Sequence, residues 1–526
     1  MMAYLEVNHL CVKADTGKTI VHDASFSLNK GEVLALIGES GSGKTTIALS
    51  LMGYARRGTH IAGGDVRLGE AHLKDLPALR GNRIAYIAQS AAAAFNPSLN
   101  IMDQVIEAAL VHRIMDRAQA EAKAIELFHA LALPFPDTIG QRYPHQLSGG
   151  QLQRLMAAMA FITDPDLVIL DEPTTALDVT TQVEVLRAFK QVVKDRGATA
   201  VYVSHDLAVV AQMADHIVVL NHGEIKEQGT TAEILHAPKD DYTKLLMAAA
   251  EPTNRVVVDA LVQPVPLLEV RGVNASYGNR PILKDINFTM QRGAMLGVIG
   301  ESGSGKSTLA RVIAGLVVPT SGEVRLAGDI LPAALSAREQ EHFRRVQIVF
   351  QNASTALNPA HDVAQILARP LAFYHQLKGE AAQKRLLALI DMVKLPASVL
   401  TRRCTELSGG QIQRINLARA LAAEPELVLC DEVTSALDTV VGAAILDLLA
   451  ELRRELNLSI MFISHDISTV RAICDDIMVL YQGAVVEHVR GSDFDQVRHH
   501  DYTELLLSSV PELRAGWLEE RKARTA

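Results

Sequence analysis

Two stretches of this sequence space glycines, a lysine and a hydroxyl as G-x-x-x-x-G-K-[ST], GESGSGKT from Gly38 to Thr45 and GESGSGKS from Gly300 to Ser307. After a strand, that spacing lets consecutive backbone N–H groups wrap phosphate oxygens. In the first copy Gly38, Gly41 and Gly43 permit close approach, and Glu39, Ser40 and Ser42 complete the loop. Lys44 is placed to reach the β- and γ-phosphates and Thr45 to offer its hydroxyl to Mg²⁺, with Thr46 next in line. In the second copy Gly300, Gly303 and Gly305 alternate with Glu301, Ser302 and Ser304, and Lys306, Ser307 and Thr308 follow. Two matches with the same interior, each after an apolar run (VLALIG, MLGVIG), read as nucleotide sites rather than Gly-rich turns.

Carboxylates stand where the second half of that chemistry needs them. Asp171 and Asp431 end the apolar runs LVIL and LVLC, which suits a carboxylate holding Mg²⁺ through water. Glu172 and Glu432 follow and can polarise an attacking water as general base. His205 and His465 come 34 residues after their Asp partners in both copies. A lone Asp-Glu pair is usually a solvated turn and a lone His usually structural, but the matched spacing favours a γ-phosphate contact. The runs LSGGQLQR and LSGGQIQR add Ser148 and Gly150, Ser408 and Gly410 at helix starts, where a hydroxyl and amides make an anion site. Each nucleotide unit already owns a phosphate loop, so this second anion site must serve something else.

The elements that position these groups come in two sets. The loops recur 262 residues apart, and the LSGGQ, Asp-Glu and Ser-His-Asp segments 260 apart, so each copy is a whole domain. The division expected is 1–250, a Pro-bearing linker 251–266, and 267–526. Short apolar strands alternating with longer helical patterns indicate a parallel α/β sheet in each copy. The segments 101–132 and 363–395 carry apolar residues at three-to-four spacing and read as helical inserts.

Composition closes off other classes. The 526 residues carry 51 Lys and Arg against 60 Asp and Glu, a net charge of −9, which argues against nonspecific nucleic-acid binding. Aromatics are 4% with one Trp, too few for base-stacking platforms. Four scattered cysteines make no disulfide framework or metal knuckle and point to a reducing compartment. The opening MMAYLEVNHLCVKAD does not read as a secretory leader, and no uncharged apolar run reaches the roughly 18 residues that span a bilayer.

Phosphate loop, LSGGQ, Asp-Glu, Ser-His-Asp and the glutamines Gln89 and Gln351 together resemble the ATP-binding cassette (ABC) superfamily, over about 4–249 and 267–509. The resemblance implies two tandem P-loop NTPase domains, each a RecA-like core with a helical subdomain, using ATP and Mg²⁺. It implies that the glutamines join Thr45, Asp171, Ser307 and Asp431 around the metal and act in catalysis. It also implies head-to-tail pairing within the chain: Ser408 and Gly410 would complete the site on Lys44, Ser148 and Gly150 that on Lys306. Tyr277 stands where the family places an aromatic under adenine, and CVKADTG in the first copy has none.

Finer features resemble the oligopeptide/dipeptide/nickel importer branch: the Asn96-Pro97 and Asn358-Pro359 loops, and the tails HAPKDDYTKLLMAA and RHHDYTELLLSS. That branch implies two integral-membrane permease subunits docking beside Gln89 and Gln351. It further implies an extracytoplasmic solute-binding protein and a place on the cytoplasmic face of a bacterial inner membrane. Ribosome-associated twin-cassette (ABC-F) proteins share the duplication but have a long charged helical linker. Fused sugar-importer ATPases often have a degenerate second cassette, and the intact second signature and the Asn-Pro loops here count against that reading.

Overall fold

The computed structural model describes residues 3–174, 177–251, 265–435 and 437–520. They group into two compact units. The first holds the described residues through Glu251, Asp438–Val440 and those from Pro511 on; the second holds those from 265 to Leu437 and Val441–Val510. Of the expected linker 251–266, only Glu251, Val265 and Pro266 fall among the described residues.

Each unit is α/β. The central sheet of the first runs Ile84–Ile87, Leu167–Asp171, Thr199–Val203, Val33–Gly38, His216–Asn221 and Glu224–Thr230 in spatial order. The first five strands are parallel and the last antiparallel. LVILD and TAVYV are buried at every position, as strands covered on both faces must be, and so read as unbroken apolar runs. A three-stranded antiparallel sheet of Thr19–Leu28, Leu5–Ala14 and Thr59–Leu68 completes the strand framework. The expected insert is two helices, Ile101–Val111 and Arg117–Ala130, started by Asn100 and by a capping box of Asp116 with Gln119.

Strand order does the positioning. Ligands of parallel sheets bind beyond the carboxyl ends of the strands, where connections diverge. Gln89 follows the strand Ile84–Ile87, Asp171 closes the next with Glu172 directly after it, His205 follows the third, and the fourth ends in Gly38 and leads into the phosphate loop. Segments far apart in sequence thus leave four adjacent strands at one edge.

The second unit repeats this order with Val346–Val349, Leu427–Asp431, Ser459–Ile463, Met295–Ile299, Asp476–Tyr481 and Ala484–Arg490. Its antiparallel sheet has four strands, and its insert is Val363–His375 with Gly379–Met392.

The expected division keeps 511–526 with the second cassette, whereas the described part of that segment packs within the first unit. Trp517 and Leu518, 7% and 3% exposed, join the buried cluster that contains Val209 and Met213. Gln212 donates to the carbonyls of Glu512 at 2.9 Å and Arg514 at 2.7 Å and accepts the Leu518 N–H at 3.1 Å. A buried amide and an indole both gain partners by this packing, which a boundary drawn from repeat length does not register.

Candidate nucleotide-binding sites

In each loop the lysine is already oriented. Lys44 Nζ donates to the carbonyls of Gly38 at 2.7 Å and Glu39 at 2.8 Å; Lys306 Nζ donates to those of Gly300 and Glu301, both at 2.8 Å. Burial lowers the Lys44 pKa, and neighbouring carboxylates, Glu172 and Asp171 among them, oppose that shift. Gly38 has φ of 138°, and a β-carbon there would lie 1.9 Å from the Leu220 carbonyl oxygen; only glycine fits. Thr46 and Thr308 lie in the first turns of the helices Lys44–Ser50 and Lys306–Ile313.

The expected metal groups meet directly. Thr45 Oγ1 donates to Asp171 Oδ1 at 3.0 Å and Ser307 Oγ to Asp431 Oδ1 at 2.8 Å. A hydroxyl beside a carboxylate is a hard-oxygen donor set of the kind Mg²⁺ takes together with substrate phosphates, so these residues fit the ion. Burial pushes the Asp431 carboxyl up, and Ser307 pulls it partly back.

Glutamine, glutamate and histidine also converge in both units. Gln89 Nε2 donates to Glu172 Oε2 at 2.8 Å, and His205 Nδ1 lies 3.2 Å from Glu172 Oε1. Gln351 Nε2 donates to Glu432 Oε2 at 2.7 Å, and His465 Nδ1 lies 3.7 Å from that oxygen. Hydrogen bonding to Glu172 raises the His205 pKa; His465 is raised by Glu432, which is itself lowered by His465. Glu172 and Glu432 adopt left-handed φ of 48° and 50°, a conformation costly for a side-chain-bearing residue, and both copies keep it.

Ser148 and Ser408 cap the helices Gly149–Phe161 and Gly409–Leu421, accepting the N–H of Gln151 at 3.3 Å and Gln411 at 3.4 Å. The cap uses each hydroxyl as acceptor and leaves its proton to be donated. Gly150 has a packing reason of its own: a β-carbon there would stand 2.2 Å from Thr181 Cγ2, and one at Gly410 would stand 2.4 Å from Val441 Cγ1. Tyr277 closes the strand Leu268–Tyr277 and is 49% exposed, a ring available for stacking.

The ABC transporter family model matches residues 21–175 and 283–435, more than half of the chain. The chain belongs to the ABC transporter family. The model of the oligopeptide/dipeptide transporter C-terminal region also matches, at 486–526. Among curated relatives, the glutathione import ATP-binding protein GsiA of Salmonella choleraesuis (strain SC-B67) is 34% identical over 541 residues, covering 93% of this chain and 86% of the relative. Its counterpart in Escherichia coli (strain K12) is 34% identical over 538 residues with the same coverage. Among solved structures, the bacterial ABC transporter cassette MJ0796 is 31% identical, covers 42% of this chain and 98% of its own, and has a TM-score of 0.39. This ABC protein binds and hydrolyses ATP.

Two contacts of these cassettes are not legible in the motifs. Tyr86 donates from its phenol to Asp171 Oδ2 at 2.7 Å, and burial pushes its pKa up, so the ring stays a neutral donor. The matching position of the second cassette is Ile348, so Asp431 lacks this partner. The second contact lies between tail tyrosines and the phosphate loops: Glu39 donates its N–H to the Tyr242 hydroxyl at 3.2 Å and Glu301 its own to Tyr502 at 2.8 Å. The tail motif marks the branch in sequence, but nothing in its spacing says that it touches the loop.

Proposed function

We propose that this chain is the ATP-hydrolysing motor of a bacterial importer for peptides or related small solutes, glutathione-like molecules among them. The reading rests above all on the duplicated convergence of Gln89, Glu172 and His205, and of Gln351, Glu432 and His465, beside a phosphate loop. The tail match and the importer relatives favour this branch over the ribosome-associated and sugar-importer alternatives. Among the described residues no helix is long and apolar enough to cross a membrane, so translocation falls to permease partners. Two permease subunits, a solute-binding protein and residence on the cytoplasmic face of the inner membrane complete the proposal.

In the cycle proposed, the loop amides and Lys44 hold the β- and γ-phosphates, with Ser408 and Gly410 closing the site; Lys306 works with Ser148 and Gly150. Tyr277 stacks on adenine in the second site. Thr45, Asp171 and Gln89, and Ser307, Asp431 and Gln351, would hold Mg²⁺, which when bound neutralises charge on the β- and γ-oxygens. Glu172 or Glu432 takes a proton from water as its oxygen attacks the γ-phosphorus. The bond to the bridging oxygen breaks, leaving ADP and phosphate, while His205 or His465 donates to a γ-oxygen.

The test is the pair Glu172→Gln and Glu432→Gln. Amide for carboxylate keeps the shape and removes the base, so the double variant is expected to bind ATP and to lose turnover by at least 100-fold, within the range such bases contribute. Parental turnover in the double variant contradicts the assignment.

A further inference from the structure

The C-terminal motif of each cassette has no part in the cycle above, yet it ends on the phosphate loop. In the first unit Glu227 accepts the N–H groups of Lys239 at 2.9 Å and Asp240 at 3.0 Å, and Asp240 caps the helix Asp241–Ala250. In the second, Glu487 accepts the N–H of His500 at 3.3 Å and pairs with His499 at 2.7 Å, and His500 caps Asp501–Leu507. Both scaffolds deliver the second residue of the helix, Tyr242 or Tyr502, to the loop.

What the phenol grips matters. The Glu39 N–H and the Gly38 carbonyl belong to one planar trans peptide, with donor and acceptor on opposite sides. Tyr242 holds its N–H at 3.2 Å and Lys44 Nζ its carbonyl at 2.7 Å. The peptide between Gly300 and Glu301 is held the same way, by Tyr502 at 2.8 Å and Lys306 at 2.8 Å. Rotation of that plane would move the lysine's anchor, and the phenol opposes it. Burial and the Glu39 carboxylate push the Tyr242 phenol up to about 12, which keeps it neutral. Tyr502 is further braced by stacking on Tyr481, ring centroids 4.0 Å apart; the matching residue in the first cassette is Asn221.

We propose that Tyr242 and Tyr502 are positioning residues for the two phosphate loops, each fixing the peptide that anchors the loop lysine, so that each cassette's C-terminal motif sets the affinity of its own ATP site. The inference rests on the loops being the ATP sites. Its test is steady-state ATP hydrolysis by the full chain with Tyr242→Phe, Tyr502→Phe and both, beside Lys44→Ala with Lys306→Ala. Phenylalanine keeps the ring and removes the hydroxyl. The expected result is a KM for ATP raised about 2- to 10-fold, the scale of one neutral hydrogen bond, with kcat within twofold of the parent and an unchanged melting midpoint. A parental KM in the double phenylalanine variant, or a fall in kcat or melting midpoint at parental KM, overturns the proposal. If the lysine variants also keep the parental KM, the loop assignment itself fails; if they lose ATP binding while the phenylalanine variant keeps it, only the positioning role does.

Discussion

Glu432 and His465 hold each other charged, and the signs of their shifts set a pH window. The Glu432 pKa is lowered from 4.5, so its contribution to stability is present above 4.5 and lost as pH falls through its depressed value. The His465 pKa is raised from 6.5, so its contribution is complete below 6.5 and lost as pH rises through its raised value. The pair therefore stabilises fully between 4.5 and 6.5. His465→Gln is expected to lower the melting midpoint most near pH 6 and least at pH 9; a pH-independent difference contradicts the ion pair. Glu172 and Glu432 share one more property, a left-handed backbone immediately after the aspartate that ends a central strand. Their place directly after an apolar strand was legible in the sequence; their backbone strain and the Tyr86 contact were not, since neither alters the motif.

At the scale of elements, the apolar runs identified the central strands because burial on both faces leaves no polar positions to confuse the pattern. The helical inserts followed from three-to-four periodicity, with the caps supplied by Asn100, Asp116 and Asp362. What the motifs concealed is that Gly150 and Gly410 also let two helices meet. Thr181 and Val441 are β-branched and stiff in a helix, so an added methyl has nowhere to go. Gly150→Ala is expected to destabilise the chain by about 1–3 kcal/mol in chemical denaturation, with much of that recovered by Thr181→Ala in the same chain. Parental stability, or no rescue, contradicts the close packing.

For the whole molecule, duplication was plain in the repeat, but the destination of residues 511–520 was not, because tertiary burial rather than local pattern decides it. The chain has one tryptophan, Trp517, so the packing of that segment has a built-in reporter. Parental emission is expected to be blue-shifted and poorly quenched. Gln212→Ala removes three hydrogen bonds to the segment, so emission should move to the red and quenching should rise. Unchanged emission contradicts the role given to Gln212.

Two complete hydrolytic sites in one polypeptide are the central claim. It is tested most directly by counting the ATP held per chain, at saturation, by the Glu172→Gln, Glu432→Gln double variant. Two molecules of ATP are predicted, persisting without conversion to ADP; one or none per chain contradicts the account.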